Sequence, residues 1–166
     1  MRLVEGSARI DDLDAFLGAL TAIGEEMACT VQAFDARYVV DRAHLERALA
    51  LADRAFERGE NVARDRGVEV MLYAAGRRQI DRALTVGVSE GEGPVVVLVA
   101  ADGESGDEAA AADAVGDLLD RPGTATDYDE ALVCDYFDVD ERELAATAGS
   151  LAAVVHERVA LLDVRK

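Results

Sequence analysis

The sequence lacks tryptophan, and only 5% of its residues are aromatic. Because its hydrophobic content is still 51%, Val, Leu, Ile and Ala must fill the core. A length of 166 residues predicts one domain, over residues 1–166. The longest apolar run, at 95–101, is far shorter than the roughly 20 residues of a membrane span, and the first residues lack an apolar signal core. These absences predict a soluble, cytoplasmic protein with no membrane partner.

Lysine and cysteine are also scarce. Lys166 is the single lysine against sixteen arginines, and nineteen of the 34 acids are aspartate. A net charge of −17 with so little lysine predicts a protein from an extreme halophile, where molar salt screens self-repulsion. The two cysteines, Cys29 and Cys134, form no C-x-x-C motif, so we interpret them as buried free thiols.

No motif of metal, cofactor or hydrolytic chemistry is found. His44 and His156 stand alone, without H-E-x-x-H or paired C-x-x-C spacing, and no serine lies in a G-x-S-x-G context. The acidic loop at 102–108 follows a strand, as phosphate-binding turns do, but its four carboxylates would repel a phosphate. The sequence therefore predicts neither a cofactor nor a metal site.

The spacing of apolar residues predicts an α/β fold, with a small mixed β-sheet packed against several α-helices and a helical C-terminal part. Strands are predicted at 2–10, 29–34 and 95–99, and a turn at 91–94. Helices are predicted after Asp11 or Asp12, from Asp41 to Gly59, from Asp107 to about 119, and over a short piece at 128–134.

Other helical segments are less regular. Residues 68–75 fit a helix or a strand, 61–63 a separate short helix, and 80–84 the start of another. A long helix is predicted from about Asp140, with Asp138 and Glu141 as its capping box.

Arginine is concentrated in the middle of the chain. Residues 54–82 contain seven arginines and five acids, a net charge of +2 between segments of −5 and −14. A positive island in so acidic a chain is a candidate contact for an anionic partner. The seven are Arg54, Arg58, Arg64, Arg66, Arg77, Arg78 and Arg82.

The most informative part of this island is Arg77-Arg78-Gln79-Ile80, directly after Gly76. Guanidinium groups bind phosphates with two parallel hydrogen bonds and stack on bases. An amide can bind a base edge, an isoleucine can support a base, and free N–H groups at a helix start attract anions. The alternative is that both arginines pair with local acids.

The flanking residues carry a family resemblance. Residues 56–63 read F-E-R-G-E-N-V-A, and residues 69–80 read E-V-M-L-Y-A-A-G-R-R-Q-I. Together they resemble the signature of the KEOPS complex regulatory subunit family, and the chain is similar to the archaeal counterparts of its PRPK-binding protein.

The resemblance implies a small α/β protein that is not an enzyme. It implies binding and regulation of the PRPK-type atypical kinase of KEOPS, indirect association with other KEOPS subunits, and recruitment of tRNA by its 3′ CCA end for threonylcarbamoyladenosine modification. The tRNA-contacting positions that it implies are Arg77, Arg78, Gln79, Ile80 and Asn61. Those implied for the kinase, which also fit an ordinary core stripe, are Leu151, Val154, Val155 and Val159. A regulator of the kinase that never touches RNA, and a small hydrolase with a carboxylate pair, are the alternatives.

Overall fold

The computed structural model describes residues 1–123 and 127–165, which divide into two compact units. The first, here the sheet unit, comprises Met1–Ala36 and Gly87–Thr126. The second, here the helical unit, comprises Arg37–Val86 and Asp127–Lys166. In chain order the elements are β1 (Arg2–Ile10), α1 (Leu13–Met27), β2 (Cys29–Asp35), α2 (Arg42–Arg58), α3 (Arg66–Ala75), α4 (Ile80–Ala83), β3 (Gly91–Ala101), α5 (Glu108–Leu118), β4 (Arg121–Pro122), α6 (Glu130–Tyr136), α7 (Glu141–Ala146) and α8 (Leu151–Val164).

The sheet has the strand order β2-β3-β1-β4, and every pairing is antiparallel. β3 lies between β1 and β2, in register from Arg2↔Val99 on one side and Cys29↔Ala101 on the other. With α1 and α5 as connections, this is the β-α-β-β-α-β order of ferredoxin-like folds. The predicted α/β class is confirmed. The predicted mixed sheet is wrong, because β3 separates the two strands that run in the same direction.

The core of the sheet unit forms where α1 and α5 pack on the sheet. Val97 and Val99 of β3 are fully buried there against Leu20 of α1 and Val115 of α5. Residues 95–100 of β3 are all buried, as their continuous apolar pattern predicts. Both helices start as predicted. The Asp12 side chain accepts a hydrogen bond from the Ala15 N–H, and Asp107 accepts one from Ala110.

The helical unit contains α2 to α4 and α6 to α8. The α2 helix is capped by Asp41 and ends at Gly59, whose φ of 68° favours glycine. Residues 66–75, which fitted a helix or a strand, form α3. The core between α6 and α8 includes Val133 and Phe137. No helix in either described range is long and apolar enough to cross a membrane.

Three local predictions are wrong. Residues 61–63 form a loop, not a helix, because the Glu69 side chain accepts hydrogen bonds from the Val62 and Ala63 N–H groups. Residues 91–94 belong to β3, because each of them pairs with a residue of β1.

The predicted long C-terminal helix is two helices, α7 and α8, separated at residues 147–150. The Ser150 side chain caps α8, and the Asp140 side chain caps α7 by accepting from the Glu143 N–H. Asp138 is not part of a capping box, since its φ of 55° places it in the left-handed region.

Candidate functional site

The residues predicted to contact RNA follow the end of α3 directly. The Gly76 N–H donates to the Tyr73 carbonyl at 3.0 Å, and the Arg77 N–H donates to the Leu72 carbonyl at 3.1 Å. This pair of bonds is a Schellman motif, which favours glycine where φ is 62°. The chain therefore leaves the helix sharply. The following residues, a short connection over 76–79 and the first three residues of α4, are here called the 76–82 turn.

Arg77 is largely engaged within the helical unit. Its Nη2 donates to the Tyr136 carbonyl at 2.5 Å and lies 3.4 Å from Asp138 Oδ2. Its guanidinium carbon lies 5.1 Å from the centre of the Tyr136 ring, within cation–π range. Only 26% of the side chain is exposed. The structure thus gives Arg77 a role in holding the turn, which the sequence did not predict.

Arg78, Gln79 and Ile80 are exposed side by side. Within residues 1–123 and 127–165, Arg78 makes neither a hydrogen bond nor an ion pair. Ile80 is 45% exposed and Leu84 is 56% exposed, so the guanidinium and the amide border an apolar surface. Because α4 has only four residues, its dipole adds little to anion binding, and the side chains must supply most of it.

Asn61 lies at the other end of α3. Its Nδ2 donates to the Ala63 carbonyl at 2.8 Å, and the fully buried Glu69 accepts from the Val62 and Ala63 N–H groups at 3.0 and 2.8 Å. Since α3 has ten residues, it separates this loop from the turn by about 15 Å. The structure does not bring Asn61 together with Arg78. Glu69 was part of the matched motif, but the sequence gave no sign of its partners.

His44 supports the residues before the turn. Its Nε2 lies 2.8 Å from the Ala74 carbonyl, and the Val40 N–H approaches its Nδ1 at 3.4 Å. Burial lowers the His44 pKa to about 4, so the ring is neutral at pH 7. Nε2 then donates to the carbonyl, which links α2 to the last turn of α3.

The four residues predicted to contact the kinase are buried. Val155 and Val159 are fully inaccessible, and Leu151 and Val154 are at most 4% exposed. Three of them pack in the core with Phe137, the residue that follows α6. Their side chains therefore form the inner stripe of α8. The opposite side of the helix carries other residues, here called its outer side. Three of them are exposed (Ala153, Glu157, Val164) and two are half-buried (Ala160, Leu161).

Two arginines meet at the end of α6. Arg77 donates to the Tyr136 carbonyl, and the Nε of Arg158, on α8, donates to the Phe137 carbonyl at 3.3 Å. Arg158 also holds Glu143 of α7 with two bonds of 2.6 and 2.8 Å. Guanidinium groups suit this position, because the last carbonyls of a helix have no partner within it. The sequence did not predict this arrangement, whose partners lie 15 to 59 residues apart.

Comparison with known proteins gives one family. A family model described as "Kinase binding protein CGI-121" matches residues 13–163, which include the 76–82 turn and most of α8. No match was found among curated proteins.

Proposed function

The chain belongs to the kinase binding protein CGI-121 family, and from this membership we propose that it is the non-catalytic KEOPS subunit that binds and regulates the atypical kinase of that complex. We further propose that it helps to recruit tRNA by the 3′ CCA end for threonylcarbamoyladenosine modification. The observation that carries the RNA part is the exposed sequence Arg78-Gln79-Ile80 on a turn fixed by its neighbours.

These three side chains suit single-stranded RNA. Arg78 can bind a phosphate or stack on a base, Gln79 can bind a base edge, and Ile80 can support a base with apolar contact. Such contacts are short-range. They keep their strength in the molar salt that we propose as the working environment, where the Debye length is about 3 Å. A net charge of −17 then opposes RNA binding less than it would at low salt.

For the kinase, we propose the outer side of α8. Its members recur at helical spacing on the face opposite the core, and Glu157 is the one charged residue among them. Val164 is 77% exposed. A helix with apolar residues on both sides usually has both sides covered. This proposal replaces Leu151, Val154, Val155 and Val159 with Ala153, Ala160, Leu161 and Val164 as the residues that touch the kinase.

The RNA part is tested by tRNA binding in molar KCl, with intact tRNA and with tRNA that lacks the CCA end. Arg78→Glu and Ile80→Glu should each weaken binding of intact tRNA at least tenfold, the factor for about 1.4 kcal/mol. Arg58→Glu is the matched control, because Arg58 is also an exposed arginine but lies at the C-terminal end of α2, outside the 76–82 turn. Equal affinity of the Arg78 variant and the wild type would contradict the RNA part.

The kinase part is tested with the partner kinase by co-purification. Leu161→Glu together with Val164→Glu should weaken the complex, since each places a charge in an apolar contact. Leu17→Glu is the control, because Leu17 is an exposed leucine of the sheet unit. A second candidate function, regulation of the kinase without RNA, is favoured by the net charge. It predicts that the kinase complex forms while the isolated protein leaves tRNA unbound.

A further inference from the structure

We propose that Tyr136 is a positioning residue, which fixes the conformation of the 76–82 turn so that Arg78, Gln79 and Ile80 are presented together. This inference rests on the proposed RNA-binding function of the turn. It adds a residue 54 positions away in the sequence from Arg82, which no motif of the turn includes.

Tyr136 contacts both ends of the turn. At one end, its ring lies under the guanidinium of Arg77, and its carbonyl accepts from Arg77 Nη2 at 2.5 Å. At the other end, its hydroxyl donates to the Arg82 carbonyl at 2.9 Å. One residue thus connects the first and last arginines of the turn, and the predicted contact residues lie between these two attachments.

The ring of Tyr136 is itself held on other sides. The Tyr38 ring packs against it edge-on, with centres 5.7 Å apart, and the Phe137 ring does so at 5.0 Å. Arg158 binds the carbonyl of the next residue, Phe137. The support therefore has a fixed orientation, as a positioning residue requires, because each neighbour restricts rotation of the ring.

Preorganisation matters for a short RNA contact. A flexible segment loses conformational freedom when it binds, and that loss weakens the affinity. Where salt screens long-range attraction, the attraction between the protein and the RNA phosphates does little to offset this loss of freedom. Two attachments, one on each side of Arg78, remove this loss before RNA arrives.

The same geometry separates the roles of the two neighbouring arginines. The guanidinium of Arg77 is occupied by a carbonyl, a carboxylate and an aromatic face, whereas Arg78 is exposed. Arg77 therefore acts through the turn, and Arg78 is the residue that reaches the RNA. If this is correct, a lysine cannot replace Arg77, because it lacks the flat guanidinium that lies over the ring.

The test compares two hydroxyl deletions in the full-length protein. Tyr136→Phe keeps the ring under Arg77 and removes the bond to the Arg82 carbonyl. Tyr38→Phe is the matched control, because in the described part of the chain the Tyr38 hydroxyl has no hydrogen-bond partner. We expect Tyr136→Phe to weaken the binding of intact tRNA about fivefold, the factor for the loss of one hydrogen bond, and to leave kinase binding unchanged. Tyr38→Phe should change neither affinity.

Hydrogen exchange of the free protein gives a readout that does not depend on RNA. Amides of residues 78–83 should exchange faster in Tyr136→Phe, while those of α3 keep their wild-type rates. Unchanged exchange at 78–83, or tRNA affinity within twofold of the wild type while Arg78→Glu abolishes binding, would overturn the proposal. Faster exchange with no effect of Arg78→Glu on tRNA would retain the positioning role of Tyr136 and reject the proposed RNA function.

Arg77→Lys gives the second test. Its charge is that of arginine, so it would keep much of a phosphate contact as a point charge, whereas the flat guanidinium that lies over the Tyr136 ring and reaches the Tyr136 carbonyl and Asp138 would be lost. We expect Arg77→Lys to lose as much tRNA affinity as Arg77→Ala. Wild-type affinity in Arg77→Lys, with a large loss in Arg77→Ala, would make Arg77 a direct contact and overturn its positioning role.

Discussion

The two units differ in how they use charge. The sheet unit contains sixteen acids and three bases, a net charge of −13, and the helical unit contains eighteen acids and fourteen bases, a net charge of −4. Fourteen of the seventeen bases are therefore in the helical unit. The number of bases alone does not identify a site, because most of the arginines are engaged in contacts within the protein and only some are exposed. Arg42 and Arg66 pair with carboxylates, and Arg77 and Arg158 hold carbonyls, while Arg78 is exposed.

Carboxylates bind backbone N–H groups in both units, since Glu108 accepts from the Ala101 N–H in the sheet unit and Glu69 accepts from the Ala63 N–H in the helical unit, but the units also use other contacts. In the sheet unit, Gly106 lies so close to neighbouring backbone that a Cβ added to it would come within 2.6 Å of the Ala28 carbonyl oxygen. In the helical unit, Glu69 binds the N–H groups of Val62 and Ala63, seven and six positions before it, and His44 binds the Ala74 carbonyl, 30 positions away. Most of the matched family motif is thus structural: Asn61 and Glu69 hold a loop, and Gly76 ends a helix. The exposed residues of the motif are Arg78, Gln79 and Ile80, which we propose as the contact with a partner.

The largest effect is expected from Glu69→Ala in the helical unit. The variant leaves the buried Ala63 N–H and the part-buried Val62 N–H without their acceptor, at about 1–3 kcal/mol each, so we expect a loss of about 4 kcal/mol in the free energy of unfolding. Denaturant unfolding measures this loss.

In the sheet unit, Thr30→Val removes the 2.5 Å hydrogen bond to Asp102 and should cost about 1 kcal/mol in the free energy of unfolding. Equal losses would show that the units do not differ in this respect.

Local signals explain which parts of the fold could be predicted. Asp12, Asp41 and Asp107 cap helices that begin next to them, and the apolar run of β3 indicates its own burial. Pairing between distant segments could not be predicted. The sequence of residues 91–94 predicts a turn, whereas in the structure these residues pair with β1, which lies more than 80 positions earlier in the chain.

The candidate site shows the same limit. Arg78, Gln79 and Ile80 were predicted as contacts from adjacent residues, and the structure leaves all three exposed. The engagement of Arg77 depends on Tyr136, 59 residues away, and the burial of Val155 and Val159 depends on which side of α8 faces the core. A pattern along one segment contains no information about which distant segment covers it.

The second effect concerns pH and should be confined to the helical unit. The His44 pKa is about 4 when folded and 6.5 in the unfolded chain, chiefly because burial disfavours the charged ring. The unfolded state therefore takes up the proton first as pH falls. The stabilisation is complete above pH 6.5 and decreases towards pH 4, by about 3 kcal/mol in total.

The measurement is the free energy of unfolding of wild type and His44→Gln between pH 7.5 and 4. The variant should be less stable at pH 7.5, and the difference between the two proteins should shrink as pH falls, since glutamine does not titrate. Hydrogen exchange should show the loss in α2 and α3. A constant difference across the range would contradict a buried, neutral His44.

The third effect is expected in the sheet unit. A Cβ at Gly106 would lie 2.5 Å from the Ala101 Cβ and 2.6 Å from the Ala28 carbonyl oxygen, so backbone must move to admit it. We expect Gly106→Ala to cost about 2 kcal/mol by overpacking. Gly18→Ala is the control, because nothing lies within 4 Å of its Cβ position and α1 continues through it. It should stabilise by about 0.5–1 kcal/mol, and a similar loss in both variants would contradict the close approach.

The smallest effect tests whether the left-handed conformation at a helix end favours glycine over alanine to the same extent in both units. Ala28 ends α1 with a φ of 52°, and Gly59 ends α2 with a φ of 68°, so an alanine and a glycine occupy the same left-handed conformation. Ala28→Gly removes the steric cost of a Cβ but increases the freedom of the unfolded chain, so it should stabilise by less than about 1 kcal/mol. Gly59→Ala, with no atom within 4 Å of its Cβ position, should destabilise by a similar amount. Thermal unfolding of both variants measures the pair. Shifts of the same sign would mean that the two helix ends differ in more than backbone conformation, because opposite substitutions in one conformation must have opposite effects.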